Sequence, residues 1–341
     1  MDYSYKKVKE NIKENSFVIK KKFGQNFIID NNIINNIVNS AAIDSDTLVI
    51  EVGPGMGALT NELVKVAKNV LCYEIDTTLK PILEKIDATN LEIIFADFLK
   101  RNVLDDIKKY EYKHLYLVAN LPYYITTPIL MKIIDENIPV EKIVVMVQKE
   151  VGDRFKAKEG SKDYSSLSII FNYNYNIKKL MDISRHVFIP EPNVDSIVLG
   201  FEAKGEKEFI KNPQLFYQLI RDAFTQKRKN LRNNLKKYDL EKIGKVLSNY
   251  GFDLSARAEQ INYKIFIEIA NNLEWFFHSQ SVDKPSRFFS RGFLMNKIFM
   301  IFFNIFIKSC IFDDNVSDFF PTLSFLIAIF FMFWAAQISH V

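Results

Sequence analysis

The sequence predicts an α/β fold, a doubly wound and mostly parallel sheet followed by a small α-helical domain. Three observations carry this expectation. From Thr47 onward, short runs rich in β-branched residues alternate with amphipathic stretches. A Gly-rich turn joins the first run to the first amphipathic stretch. After Gly205 the strand pattern stops and helical periodicity alone remains.

Taken in order, residues 47–52, 70–75, 91–95, 115–120 and 143–148 read as parallel strands, with helices such as 59–67 and 128–135 between them. Runs 168–175 and 195–201 are separated by a Pro-containing loop rather than a long helix. They are expected to form an antiparallel pair closing the sheet edge. From Pro213 to Asn272 the pattern is helical and basic in patches, with a signature stretch from Gln226 to Lys237. The expected domains are therefore 1–204 for the sheet, 205–274 for the helices and 275–341 for an atypical apolar tail.

At 341 residues, 48% apolar and 25% charged, the chain can bury the cores of two domains. A net charge of +4 permits a polyanionic partner without demanding one. Cys72 and Cys310 stand far apart, which argues against a disulfide framework and for a reducing compartment. His114, His186, His278 and His340 are scattered, so no metal site is expected. The first residues, Tyr5, Lys6, Lys7 and Lys9 among them, include no apolar secretory segment, and the expected location is the cytoplasm. In the tail, residues 319–336 carry no charge and are barely long enough to span a bilayer, while 293–307 is interrupted by Lys297 and Asn304. Membrane contact is one reading. A frameshift or fusion segment is the favoured one, because Asp313, Asp314, Asp318 and Pro321 break the apolar pattern.

The turn Glu51-Val52-Gly53-Pro54-Gly55-Met56-Gly57-Ala58 follows a strand and opens a helix, where glycines let backbone amides approach a ligand. Glu74 closes the next strand, placed to accept both hydroxyls of a ribose. These features suit a nicotinamide cofactor as well as a methyl donor. Asp97, after the third strand, is placed either to cap a helix or to read an adenine amino group. No His or Tyr/Lys pair stands near the strand ends as a dehydrogenase requires.

Asn120-Leu121-Pro122-Tyr123 ends the fourth strand and is the most specific chemical signal. Asn120 supplies a side-chain carbonyl, Leu121 a backbone carbonyl, Pro122 a stiff turn without an N–H, and Tyr123 a ring for stacking. Together they suit a planar amine held in a water-poor pocket. Phe188, in Phe188-Ile189-Pro190-Glu191-Pro192, is placed either to cover the other face of a base or to fill the core.

With these residues in view, the chain resembles the ribosomal RNA adenine dimethyltransferase family, and within it the KsgA-type branch that acts on small-subunit RNA. The matching strings are Phe23-Gly24-Gln25-Asn26-Phe27, Glu51 to Gly55, Asn120 to Tyr123 with Thr127-Pro128, Gln148-Lys149-Glu150-Val151, Phe188 to Ser196, and Lys227 to Asn233. They run in order from about Lys21 to Asn272. The resemblance implies a Rossmann-like, seven-stranded class I methyltransferase sheet and S-adenosylmethionine as cofactor. It implies that Asn26 and Ile28 close over the methionine end and that Gly53 lies under the cofactor. Glu74 would hold its ribose, Asp97 would read its adenine, and Asn120 would serve both the cofactor edge and the target amine. Ile28 stands where the family more often has Leu.

The implied reaction is N6-dimethylation of adjacent adenines in a 3′-terminal hairpin of 16S rRNA during ribosome assembly. Asn120, Leu121, Pro122, Tyr123 and Phe188 would hold the base, splayed out of its stack. Lys227, Arg228, Lys229 and Arg232, on a basic helix, would contact phosphates. The expected partner is a pre-30S particle met by a monomer. Two other readings stay open: the sister group acting on 23S rRNA and conferring macrolide resistance, and a non-catalytic RNA-binding relative. Pro128, the Phe188 string and the basic stretch after Phe224 favour the small-subunit branch.

Overall fold

The computed structural model describes residues 5–14, 17–20 and 23–273, which belong to one compact unit. Helix α1 (Tyr5–Glu14) comes first, then the two-residue strand β1 (Phe27–Ile28) and helix α2 (Asn31–Ala41). Asp30 starts α2 by accepting from the amides of Asn32 and Ile33.

The main sheet contains β2 (Thr47–Val52), β3 (Asn69–Tyr73), β4 (Leu91–Ile94), β5 (His114–Asn120), β6 (Lys142–Gln148), β7 (Tyr175–Ile183) and β9 (Ser196–Ala203). The short β8 (Phe188–Ile189) lies outside it and pairs with β1. The strand order is β4-β3-β2-β5-β6-β9-β7. The first five strands in sequence run parallel, close to their expected bounds, and β9 is antiparallel to both β6 and β7. Every residue of β2 is buried, as a parallel strand covered on both faces must be. Alternation along it sends Leu48, Ile50 and Val52 to one apolar cluster and Val49 to the other, with α2. The edge strand β7 carries exposed Lys178, Lys179 and Asp182, charges that discourage further strand pairing.

The connections are α3 (Thr60–Leu63), α4 (Lys80–Leu83), α5 (Val103–Ile107), α6 (Thr126–Asp135), α7 (Lys149–Lys156) and α8 (Ser166–Asn174). Two expectations need correction here. Residues 168–175, expected as a strand, lie in α8, and the edge strand starts only at Tyr175. Ser165 and Ser168 cap this helix reciprocally, and Leu167, Ile169, Ile170, Phe171 and Tyr173 are all buried. A helix buried on all sides has no polar face, so its period cannot be told from that of a buried strand. The helix expected over 59–67 is a single turn, α3, after which Lys65 and Val66 donate to carbonyls three residues back.

Helices α9 (Pro213–Ala223), α10 (Leu231–Asn234), α11 (Leu240–Ser248) and α12 (Tyr263–Asn272) follow the sheet. One apolar cluster runs from Leu117 and Val145 on the strands to Phe216, Leu219 and Phe266 on the helices. Phe155, Phe171 and Phe201 meet edge to face within it, with ring centroids 4.9–5.7 Å apart. The sheet and the helices on either side of the exposed residue 205 thus share one apolar core. Among the described residues no helix is long and apolar enough to cross a membrane, and no His, Cys, Asp and Glu group could hold a metal ion. The tail expected over 275–341 lies outside the described residues.

Candidate active site

The carboxyl ends of β2, β3, β4 and β5 open into one cavity, roofed by the segment before α2. At the end of β2 the chain must reverse over the sheet. It does so with positive φ at Gly53 (75°) and Gly55 (59°), a region other residues avoid. The Gly53 amide donates to the Tyr73 carbonyl at 2.9 Å, which ties the loop to β3.

Alternation points Glu51 to the α2 face of the sheet, where it is 1% exposed. Its carboxyl accepts from Thr60 Oγ1 at 2.7 Å and Cys72 Sγ at 3.4 Å, and burial pushes its pKa up to about 7. The sequence reading assigned it no role. The available signal was an acid inside an otherwise apolar strand.

Glu74 is 5% exposed and borders the cavity. It accepts from the amides of Gly55 (3.2 Å) and Asp76 (2.8 Å), and burial pushes its pKa up to about 7. No described cation pairs with it. A buried carboxylate facing a cavity with only backbone donors suits a ligand diol. Of the two roles expected for Asp97, the structure shows the cap, and it also places the residue at the cavity. Asp97 caps the turn at Phe98–Lys100, accepting from the Leu99 amide at 3.0 Å.

The Asn-Leu-Pro-Tyr turn is rigid. The Leu121 amide donates to the Met146 carbonyl at 3.2 Å. The Pro122 carbonyl accepts from the Ile125 amide at 3.2 Å and from Thr126 Oγ1 at 3.1 Å. Asn120 Nδ2 donates to the Asn26 carbonyl at 3.1 Å, and no described group donates to its Oδ1. Tyr123 packs half-buried with its hydroxyl 2.6 Å from Ser196 Oγ, and burial raises its pKa.

The roof is a strap of residues 23–28. Asn26 and Ile28 line the cavity. The strap is fastened by Asp76, which accepts from Lys20 Nζ at 2.6 Å and Gln25 Nε2 at 2.7 Å. Burial pushes the Asp76 pKa up, but these donors, with Thr78, hold it below its ordinary value. Neither fastening was expected.

Two placements depart from the base-handling set. Phe188 is 3% exposed, sits in β8 opposite Ile28, and packs in the α2-side core rather than lining the cavity. Of its two expected placements, the structure shows the core one. Lys227, Arg228 and Lys229 are exposed but lie in turns, not on a helix, because Asn230 caps α10 and its first helical residue is Leu231. Arg232 is exposed in α10. Lys227 Nζ donates to the Lys162 carbonyl, and it borders a second cavity with Arg154 and Arg221.

A parallel sheet in this strand order, an antiparallel β9 inserted before β7, and ligand-facing groups at the carboxyl edge define a class I methyltransferase fold. The model of the family described as ribosomal RNA adenine dimethylase matches residues 16–274. The chain is 41% identical over 279 residues to ribosomal RNA small subunit methyltransferase A of Bacillus mycoides, covering 78% of this chain and 95% of the relative. The values for the same enzyme of Bacillus cereus are identical. Among solved structures, a dimethyladenosine transferase from Plasmodium falciparum superposes with a TM-score of 0.59 at 25% identity, covering 71% of this chain and 95% of that one. A 23S rRNA methyltransferase shares the fold, with a TM-score of 0.55 at 24% identity over 72% and 99% of the two chains. The chain belongs to the ribosomal RNA adenine dimethylase family.

Proposed function

We propose that this protein transfers methyl groups from S-adenosylmethionine to N6 of adenines in small-subunit rRNA, twice per adenine, on a partly assembled particle. The observation that carries the proposal is the Asn120–Tyr123 turn, braced by Met146 and Thr126 and facing the cavity that Glu74 and Asp97 border. S-adenosylmethionine, when bound, supplies an electrophilic methyl group. Glu74 would hold its ribose, Asp97 its adenine, and Asn26, Ile28 and Gly53 its methionine end and underside.

Adenine's amino lone pair is delocalised into the ring, so the protein's task is to position the amine. Asn120 Oδ1 and the Leu121 carbonyl accept hydrogen bonds from its N–H groups, and Tyr123 stacks on the ring. Orientation of this kind is worth roughly 7–11 kcal/mol. The nitrogen becomes acidic once methylated and loses its proton to water, so no buried base is needed. Lys227, Arg228, Lys229 and Arg232 contact phosphates, which position the RNA without specifying its sequence. The enzyme works as a cytoplasmic monomer on this reading.

The test is methyl transfer from labelled S-adenosylmethionine by the full-length protein to immature small subunits, with naked large-subunit rRNA alongside. Label in small-subunit RNA supports the proposal. Label only in large-subunit RNA moves the target, and no label in either overturns the reaction.

A further inference from the structure

Two aromatic rings and two glycines interlock at the mouth of the cavity. Gly24, on the strap, has φ 59°, and a β-carbon there would lie 3.0 Å from Cδ1 of Tyr124. Gly55, on the loop after β2, also has φ 59°, and a β-carbon there would lie 3.1 Å from Cε1 of Phe27. The strap's ring therefore lies on the loop's glycine, and the ring of the Asn-Leu-Pro-Tyr turn's next residue lies on the strap's glycine.

Two consecutive tyrosines thus part ways. Tyr123 turns its hydroxyl to Ser196 at the start of β9. Tyr124 borders the cavity beside Gly24 and lies close enough to Asp97 and Glu74 that their charges, added to burial, raise its pKa. It is 52% exposed, and no described residue hydrogen-bonds its hydroxyl. A large ring left half in water, next to the carboxylates suited to an adenine and a ribose, has an apolar face free for a planar group.

We propose that Tyr124 is a cofactor-holding residue whose ring, seated on Gly24, covers the nucleoside half of the methyl donor and sets how tightly the donor and its demethylated product are held. The inference rests on the reading of this cavity as the methyl-donor site. The turn then divides its work, with Tyr123 braced for the target base and Tyr124 placed for the cofactor. Gly24 suits this seat, since a β-carbon there would press on the Tyr124 ring and its φ of 59° disfavours any other residue.

Calorimetric titration of the full-length protein with S-adenosylhomocysteine, paired with stopped-flow release, tests this. Tyr124→Ala is expected to weaken binding roughly tenfold, the scale of one lost aromatic–base stack. Release should quicken and KM for the donor should rise, while KM for RNA does not follow. Tyr124→Phe is expected to restore the affinity, and Tyr124→Leu, which keeps bulk without an aromatic plane, is not. Wild-type affinity in both Tyr124→Ala and Tyr124→Leu would overturn the proposal, as would a loss confined to KM for RNA. Failure of the unaltered protein to bind S-adenosylhomocysteine would instead remove the methyl-donor reading beneath it.

Discussion

The cavity has two walls of unlike construction. One is the row of strand ends carrying Gly53, Glu74, Asp97 and Asn120, each held by a parallel ladder or by a turn directly after it. The other is the strap, attached by the two-residue β1–β8 pair, the Asn120–Asn26 bond, and the Lys20 and Gln25 contacts to Asp76. The groups proposed to hold the reacting atoms in line stand on the wall with the most backbone hydrogen bonds. The strap over the cavity has fewer backbone hydrogen bonds and is seated by the buried side chains of Phe27 and Ile28. On the proposed function, the wall with the denser backbone bonding is the one where orientation matters.

The largest expected effect falls on the rigid wall. Asn120→Ala should lower the single-turnover methyl-transfer rate by roughly 10²–10³, the scale of losing one preorganised hydrogen-bonding group. A fall confined to cofactor affinity would assign Asn120 to the cofactor alone. Glu74→Ala should weaken cofactor binding by about 10–100-fold, as expected for hydrogen bonds to a charged group. Because the Glu74 pKa is pushed up to about 7, diol binding to the carboxylate should weaken as pH falls below that value, and this dependence should vanish in Glu74→Gln.

Glu51 sharpens the comparison through stability. Its pKa, raised to about 7 from an ordinary 4.5, means that the folded state binds more protons than the unfolded state between those values. Stability therefore falls as pH rises through that window, and above it the folded protein carries a buried charge. Glu51→Gln keeps an acceptor for Thr60 and should gain roughly 1–3 kcal/mol at pH 8 but little at pH 4, measured by denaturant unfolding. The smallest effect belongs to the strap. Asp76→Asn removes the charge that the part-exposed Lys20 Nζ meets on a buried carboxylate but keeps an acceptor there, and should speed cofactor release by no more than about fivefold. A larger change would mean that the strap, not the strand ends, dominates retention.

The strand-end wall was legible because its residues are out of place for a core. Three glycines after a buried strand, an acid closing an apolar run and an Asn-x-Pro turn each require a local explanation. The strap was legible only through the family string Phe23–Phe27, since the Lys20–Asp76 contact joins residues 56 apart in sequence with no local signal. Helix α8 was read as a strand because burial on every side erased its period. Phe188 fitted a base clamp and a core position equally, and its pairing opposite Ile28 is a tertiary fact that spacing does not contain. The basic residues 227–229 were placed on a helix by composition, whereas the Asn230 cap starts that helix after them.

The most direct test of the account is nucleoside mass spectrometry of small-subunit RNA treated with the full-length protein and S-adenosylmethionine, beside the Asn120→Ala variant. The account predicts N6,N6-dimethyladenosine with the unaltered protein and its near absence with the variant. Methylation at any atom other than N6, or dimethyladenosine formed equally well by the variant, would contradict it.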